Sequence, residues 1–161
     1  MTQLALFEKR IHEDIPLTRA LGVRLNHWDG RVLVVSAPLA PNQNHQGTGF
    51  GGSVYSVAVT AAWGLTELAL ADLGLKGSVV VQNGTIDYRE PVTTDFYALC
   101  RLPGDEIPER FRKSLARHGK GRLDLNVTVY LGEPTPEPTA DPVALFHGRF
   151  VVRDVHSRLS L

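Results

Sequence analysis

The sequence predicts an α+β domain in which one antiparallel sheet wraps around one long apolar helix. Residues 52–74 form the most apolar stretch of the chain. As a helix this stretch would span ~35 Å, the width of a small domain. A helix that is apolar on most of its sides needs burial on most of its sides. Short strand patterns before and after the stretch supply the sheet that would bury it.

The first part of the chain predicts a short helix and a β-hairpin. Residues 2–14 place apolar side chains near helical spacing. Two strand patterns follow, over residues 22–28 and 31–37. The Asp29-Gly30 pair between them is a strong hairpin signal, because glycine tolerates the positive φ of a tight turn.

The part after the long helix alternates strands with one charged helix. Strict alternation of apolar and polar residues over 123–131 indicates a strand with one buried face. The segment 132–142 holds four prolines and predicts an extended, exposed loop. The strand beyond this loop cannot fold alone, so we expect residues 1–161 to form a single domain. The predicted elements cover residues 78–90, 95–102, 106–120, 123–131 and 143–154.

Composition excludes several classes of protein. The 161 residues include 17 Lys+Arg and 17 Asp+Glu, which argues against nucleic acid or an anionic membrane as the main partner. Cys100 is the only cysteine, and the N-terminus lacks the features of a signal peptide. Both features predict a cytoplasmic protein. The long apolar stretch could cross a bilayer by length, but Glu67 and Asp72 would be costly in lipid.

The loop before the long helix, "NQNHQGTGFGGS" at residues 42–53, is richer in polar residues and glycine than a plain turn requires. The first turn of a helix presents N–H groups with no intrahelical partner, and these favour negative charge. Gly51 and Gly52 would let a ligand approach this backbone closely. The alternative is that the glycines serve only a tight turn, with Thr48 or Ser53 as the helix cap.

The order of elements resembles the hotdog fold. The sequence "NHQGTGFGGSVYSVAVTAAWG" is similar to the loop and helix of hotdog acyl-CoA thioesterases. Those proteins carry an Asn, a short glycine-containing stretch, "HGG" and a helix with an acid about eight positions on. The stretches "IPLTRALGVRL", "SAPLAPN" and "TxFGGSxYS" resemble one subfamily of such thioesterases. Its members occur alone or behind an acetyltransferase-like domain.

The resemblance implies a site at the loop. Asn44 stands at the spacing of the family's Asn, six positions before Phe50, and Gly51 and Gly52 match the double glycine. The glycine N–H groups would then contact the oxyanion that develops on the carbonyl oxygen during thioester hydrolysis. Asn44 would orient water or substrate. Phe50 replaces the family's His, however, and Val59 stands where many relatives carry the helical acid.

Two residues are candidates for the missing acid–base group. His45 is a spare base, although nothing in the sequence shows what orients it and a solvent-facing loop histidine is the simpler interpretation. Asp87 lies on the strand after the helix. Because hotdog sites form at dimer interfaces, Asp87 of a partner chain would take the place of the missing helical acid. The alternative for Asp87 is a plain surface carboxylate. Glu67 lies further along the helix, where a surface-facing or capped side chain is the simpler interpretation.

Basic residues around the short charged helix are candidates for holding coenzyme A phosphates. The principal candidates are Arg112, Lys113 and Arg117. A run of charge on a helix is also the normal appearance of a solvated face, and this interpretation stays open.

Two classes of function follow from the resemblance. The first is a thioesterase that acts on acyl-CoA or acyl-carrier-protein thioesters, without a metal or a redox cofactor, so that coenzyme A enters only as part of the substrate. The second is a non-catalytic module that binds acyl thioesters. A dehydratase fits less well, because its His-and-acid pair is not matched. The resemblance also implies a homodimer with a continuous sheet, and it leaves open whether dimers pair into tetramers.

Overall fold

The structure, a computed structural model, describes residues 1–104 and 107–154. Six strands form one antiparallel sheet in the order β1-β2-β4-β5-β6-β3. The long helix α3 (Gly51–Asp72) packs against five of these strands, β2 to β6. The predicted α+β architecture is confirmed. The strands are β1 (Arg24–Trp28), β2 (Val32–Ala37), β3 (Gly77–Tyr88), β4 (Phe96–Arg101), β5 (Lys120–Leu131) and β6 (Ala144–Asp154).

Within the described residues, three further α-helices lie outside the sheet: α1 (Gln3–Asp14), α2 (Pro16–Ala20) and α4 (Glu109–His118). A short 3₁₀-helix spans Ala40–Asn42. The sequence did not predict α2, which is only five residues long and begins at a proline, the residue best tolerated at a first helical position. Helix α4 is shorter than the predicted stretch 106–120, whose first residue lies outside the described residues. Gly119 ends α4 with a left-handed φ of 63°.

Helix α3 forms the centre of the core. Its length and composition would suffice for a membrane span, but the fold buries most of it, as expected for a core helix. Ala58, Ala61 and Ala62 are completely buried. Their small side chains let the helix backbone approach the sheet closely, which explains why so many alanines occur in this segment.

Ala62→Leu is therefore expected to lower the free energy of unfolding by about 1–3 kcal/mol, because the added atoms overpack a filled core. The measurement is the urea midpoint of the variant beside that of the wild type. Ala71→Leu is the matched control, since Ala71 lies on the same helix but is exposed. Equal midpoints for Ala62→Leu and the wild type would contradict the close packing of this helix face.

The two faces of the sheet differ sharply. On β5, Leu123, Leu125, Val127 and Val129 are buried in the core beneath α3, whereas Asp124 and Asn126 are exposed on the opposite face. This confirms the alternation seen in the sequence. We call the face away from α3 the outer face.

The proline-rich segment 132–142 covers part of this outer face. A small apolar cluster lies there, formed by Val32, Val34, Tyr97 and Leu99 with Tyr130 packed against it. The Arg101 guanidinium donates a hydrogen bond to the Pro136 carbonyl, which ties the segment to β4. The prediction of an exposed loop was wrong in part, because several of its positions are half-buried.

Strand β3 is the last strand in the sheet order. In the described part of the chain it pairs with β6 alone, so its other edge is free for most of its length. Trp63 Nε1 donates to the Val79 carbonyl at 3.1 Å, and this occupies the edge at one position. Val80 and Val81, at 51% and 44% exposure, present apolar side chains beside the free edge.

Candidate functional site

The loop before α3 is anchored by Asn42, a residue that the sequence analysis did not single out. Its side chain is buried, and Nδ2 donates to the carbonyls of Leu21 at 2.8 Å and Pro38 at 2.7 Å. The backbone N–H of Phe50 donates to the Asn42 carbonyl at 2.7 Å. These bonds close the loop at its base and fix the position at which α3 begins.

Asn44 organises the interior of the loop. Its Oδ1 accepts from the backbone N–H groups of Gln46 at 2.8 Å and Thr48 at 3.2 Å, and its Nδ2 donates to Thr48 Oγ1 at 2.9 Å. This is the side-chain-to-backbone pattern by which Asn stabilises tight turns. The amide has two N–H groups, and one hydrogen bond from Nδ2 occurs among the described residues. Asn44 therefore has a structural role beyond the substrate-orienting role that the resemblance implies.

The helix start presents three open donors. In the part of the chain that the structure describes, the backbone N–H groups of Gly51, Gly52 and Ser53 have no acceptor, and Val54 is the first residue of α3 to bond back, to the Phe50 carbonyl. No side chain caps the helix. The cap that Thr48 or Ser53 would have supplied is absent among these residues. The open N–H groups and the positive end of the helix dipole favour an anion here.

Tyr88, the last residue of β3, lies against this helix start. Its hydroxyl donates to the Gly51 carbonyl at 2.7 Å. Burial, with a smaller contribution from nearby Tyr55, raises the pKa of Tyr88 above its usual value. Tyr88 and Gly51 line a cavity of about 380 Å³, together with Glu90. No sequence motif marks Tyr88 as a residue of the site.

Phe50 and Val59 occupy the two positions where the resemblance expects acid–base groups. The Phe50 ring is 56% exposed and packs directly over Gly52, where an added Cβ would come within 2.6 Å of the ring. Gly52 is therefore required for this close contact. Val59 is half-buried on α3. Neither residue can accept a proton. The helix start therefore has N–H donors for an anion but no general base at these two positions.

A strip of partly exposed residues runs along α3 from these donors. It consists of Ser56, Val59, Trp63 and Glu67, which recur at helical spacing while most neighbouring residues are buried. Ser56 Oγ donates to the Gly52 carbonyl at 2.8 Å, and Trp63 stacks on Phe7. The strip is the part of α3 that the sheet leaves open.

Glu67 ends this strip too far from the donors to take part in chemistry there. It lies sixteen positions after Gly51, which is about 24 Å along a helix. Arg10 Nη2 donates to Glu67 Oε2 at 2.9 Å. Burial raises the pKa of Glu67 despite this guanidinium. The ion pair lies at a largely apolar cavity of about 830 Å³ between α1 and the end of α3.

His45 and Asp87 are not brought to the helix start by a contact. His45 is exposed, and in the described part of the chain no hydrogen bond holds its ring. Asp87 lines a cavity on the outer face of the sheet with His147, and its Oδ2 accepts from Arg89 Nε at 3.3 Å. The next residue along, Tyr88, projects to the opposite face and contacts Gly51. Within one chain, Asp87 therefore faces away from the loop.

Arg112, Lys113 and Arg117 lie on α4. None of them lines the cavity of about 480 Å³ that α4 forms with β5 and β6, where a different set of basic residues meets. No group of three or more His, Cys, Asp or Glu residues that could hold a metal ion occurs within residues 1–104 and 107–154.

The sequence model of a family described as "Putative thioesterase (yiiD_Cterm)" matches residues 4–154. The chain belongs to this family. A protein of unknown function from Chlorobaculum tepidum is 30% identical, with 93% of each chain covered and a TM-score of 0.86.

Two further solved structures bear the thioesterase description. A protein from Shewanella oneidensis described as a putative thioesterase is 26% identical, covers 94% of this chain and 96% of its own, and gives a TM-score of 0.77. A Haemophilus influenzae thioesterase shares the fold with 11% identity, 99% and 96% coverage and a TM-score of 0.74. The hotdog fold that the resemblance implied is confirmed.

Proposed function

We propose that this member of the family hydrolyses acyl thioesters of coenzyme A or of an acyl carrier protein, at the start of α3. The observation that carries the proposal is the set of open N–H groups of Gly51, Gly52 and Ser53. Attack on a thioester carbonyl places negative charge on its oxygen. A preorganised donor aimed at that oxygen stabilises the transition state by about 3 kcal/mol.

The acyl chain would leave this point along the open strip of α3, over Val59 and Trp63. Trp63 and Phe7 provide an apolar surface there. The strip has no proton acceptor near the donors. Glu90 is the carboxylate among the residues that line the cavity beside Gly51. We therefore expect slow hydrolysis, limited by activation of the attacking water.

The alternative is a module that binds acyl thioesters without hydrolysing them. The specific observation in its favour is that Phe50 and Val59 replace both acid–base positions of the resembled family. A panel of acyl-CoAs, followed by release of free thiol, distinguishes the two functions when run beside calorimetry with a non-hydrolysable acyl-CoA analogue. Thiol release above the uncatalysed rate supports hydrolysis. Binding of the analogue without thiol release supports the module.

We further propose that the chain is a homodimer joined through the free edge of β3. Exposed Val80 and Val81 and unpaired backbone groups make this edge suited to pairing with a second copy. Light scattering of the purified protein at micromolar concentration is expected to give twice the mass of one chain, or four times if dimers pair. The mass of a single chain would contradict the edge pairing.

This dimer would not restore Asp87 to the site. If the two sheets join edge to edge with both α3 helices on the same side of the joined sheet, both outer faces lie together on the opposite side. Asp87 lies on the outer face, so the copy from the partner would face away from the loop as well. We therefore do not retain Asp87 as the acid–base group.

A further inference from the structure

A cavity between α4 and the outer face of β5 and β6 concentrates positive charge. Its volume is about 480 Å³, within the usual range for small-ligand sites of about 300–1,000 Å³. Four cationic side chains line it against one carboxylate, in a chain whose formal net charge is zero. The charged residues are Arg110, Lys120, Arg122, Arg149 and Asp124.

The single carboxylate is already paired. Arg149 donates to both oxygens of Asp124, from Nε at 2.9 Å and from Nη2 at 3.3 Å. This hydrogen bonding holds the pKa of Asp124 below its usual range. Lys120 and Arg122 are alternate residues of β5, so their side chains leave the strand on one face. In the described part of the chain neither has an ion-pair partner.

The wall of the cavity is fixed by contacts between elements. Ser114 Oγ donates to the Lys120 carbonyl at 2.6 Å, which ties α4 to the first residue of β5. Phe111 is buried and packs so closely on Gly121 that an added Cβ would lie 2.4 Å from its ring. The basic groups are therefore carried by packed secondary structure.

We propose that this cavity binds a phosphate-bearing small molecule at a site separate from the thioester site. A phosphate dianion offers several acceptor oxygens, which match the forked N–H groups of arginine and the point charge of lysine. Arg110 and Arg122 would contact such a group from α4 and β5, and Lys120 would contact it from the strand end. The Arg149–Asp124 pair would form the neutral side of the cavity.

Strand register separates this cavity from the helix start. Arg149 of β6 pairs with Asn83 of β3. Arg122 of β5 pairs with Val151 of β6, which in turn pairs with Val80 of β3. Asn83 and Val80 are five and eight residues before Tyr88, which corresponds to about 16 and 26 Å along a strand. Tyr88 contacts Gly51 on the other face of the sheet. The cavity therefore lies on the opposite face of the sheet from these donors, at least about 16 Å away along the strand.

The test uses inorganic pyrophosphate and ADP as probes, titrated into the whole protein by calorimetry. The double variant Lys120→Ala/Arg122→Ala is expected to weaken binding at least about tenfold, as loss of charged hydrogen bonds does. The control Lys113→Ala/Arg117→Ala also removes one lysine and one arginine, but from the part of α4 outside the cavity. It is expected to bind the probes as the wild type does. Melting temperatures without ligand report whether each variant folds.

Two results of these titrations would overturn the proposal. One is absence of heat and of any melting shift with wild-type protein at millimolar pyrophosphate and ADP. The other is an equal loss of binding in both double variants, which would mean attraction by overall charge. Because these are binding measurements, they do not depend on whether the protein hydrolyses thioesters.

A second comparison distinguishes a separate ligand from the phosphates of the substrate. Binding of a non-hydrolysable acyl-CoA analogue is compared with that of the matching acyl-pantetheine analogue, which carries no phosphate. If Lys120→Ala/Arg122→Ala loses ADP but keeps both analogues, the site is separate, as proposed. If the variant loses the acyl-CoA analogue and keeps the acyl-pantetheine one, the cavity holds the substrate's phosphates and the separate site is wrong.

Discussion

Gly51→Pro is expected to lower the thioester turnover rate by about a hundred- to a thousandfold, because it deletes one backbone donor at the helix start. Proline is well tolerated at the first helical position, where its missing N–H has no intrahelical partner. The residue before a proline must be extended, and Phe50 already is, with φ −64° and ψ 129°. The substitution therefore removes an N–H group with little change in the backbone.

Gly51→Ala is the matched control. It adds a Cβ at the same place, 3.2 Å from Tyr88 Oη, but keeps the N–H group. A large loss in the proline variant with a small loss in the alanine variant assigns the effect to the donor. Equal losses would assign it to crowding against Tyr88. Full activity in the proline variant would remove Gly51 from the proposed oxyanion site.

The main elements of the fold could be predicted because their patterns are long and regular. Helix α3 has more than five turns of apolar residues, and β5 alternates without interruption, so one wrong residue does not change either prediction. The short helix α2 at Pro16–Ala20 has too few residues to show a period.

The side on which a β3 residue lies could not be predicted from its position in the sequence. A bulge between Val81 and Asn83 shifts the register of β3 against β6. One extra residue reverses the alternation of every side chain beyond it. This parity places Tyr88 against Gly51 and turns Asp87 to the outer face. Nothing in the sequence marks the bulge, so Asp87 was named as a site candidate and Tyr88 was not.

The partners of the charged residues were equally hidden. The sequence groups Arg112, Lys113 and Arg117 because they are neighbours on one helix. The basic cavity instead combines Arg110 of α4 with Lys120 and Arg122 of β5. Such a set depends on how a helix packs on a strand, and a run of charge along one helix does not reveal it.

Asn44→Ala is expected to lower the turnover rate by about ten- to a thousandfold, as loss of a positioning contact can. The change removes three side-chain hydrogen bonds, to the N–H groups of Gln46 and Thr48 and to Thr48 Oγ1. The loop would then lose the turn that leads into Gly51. Binding of a non-hydrolysable acyl-CoA analogue should change far less, because the strip along α3 is untouched.

His45→Ala is the matched control for Asn44→Ala, since His45 is the next residue in the same loop but is exposed and makes no hydrogen bond within the described residues. We expect it to keep most of the activity. Steady-state kinetics of both variants and calorimetry with the analogue provide the comparison. Full activity in Asn44→Ala, with activity abolished in Glu67→Ala or Asp87→Ala, would mean that the chemistry lies elsewhere. The loop would then be only the turn that begins α3.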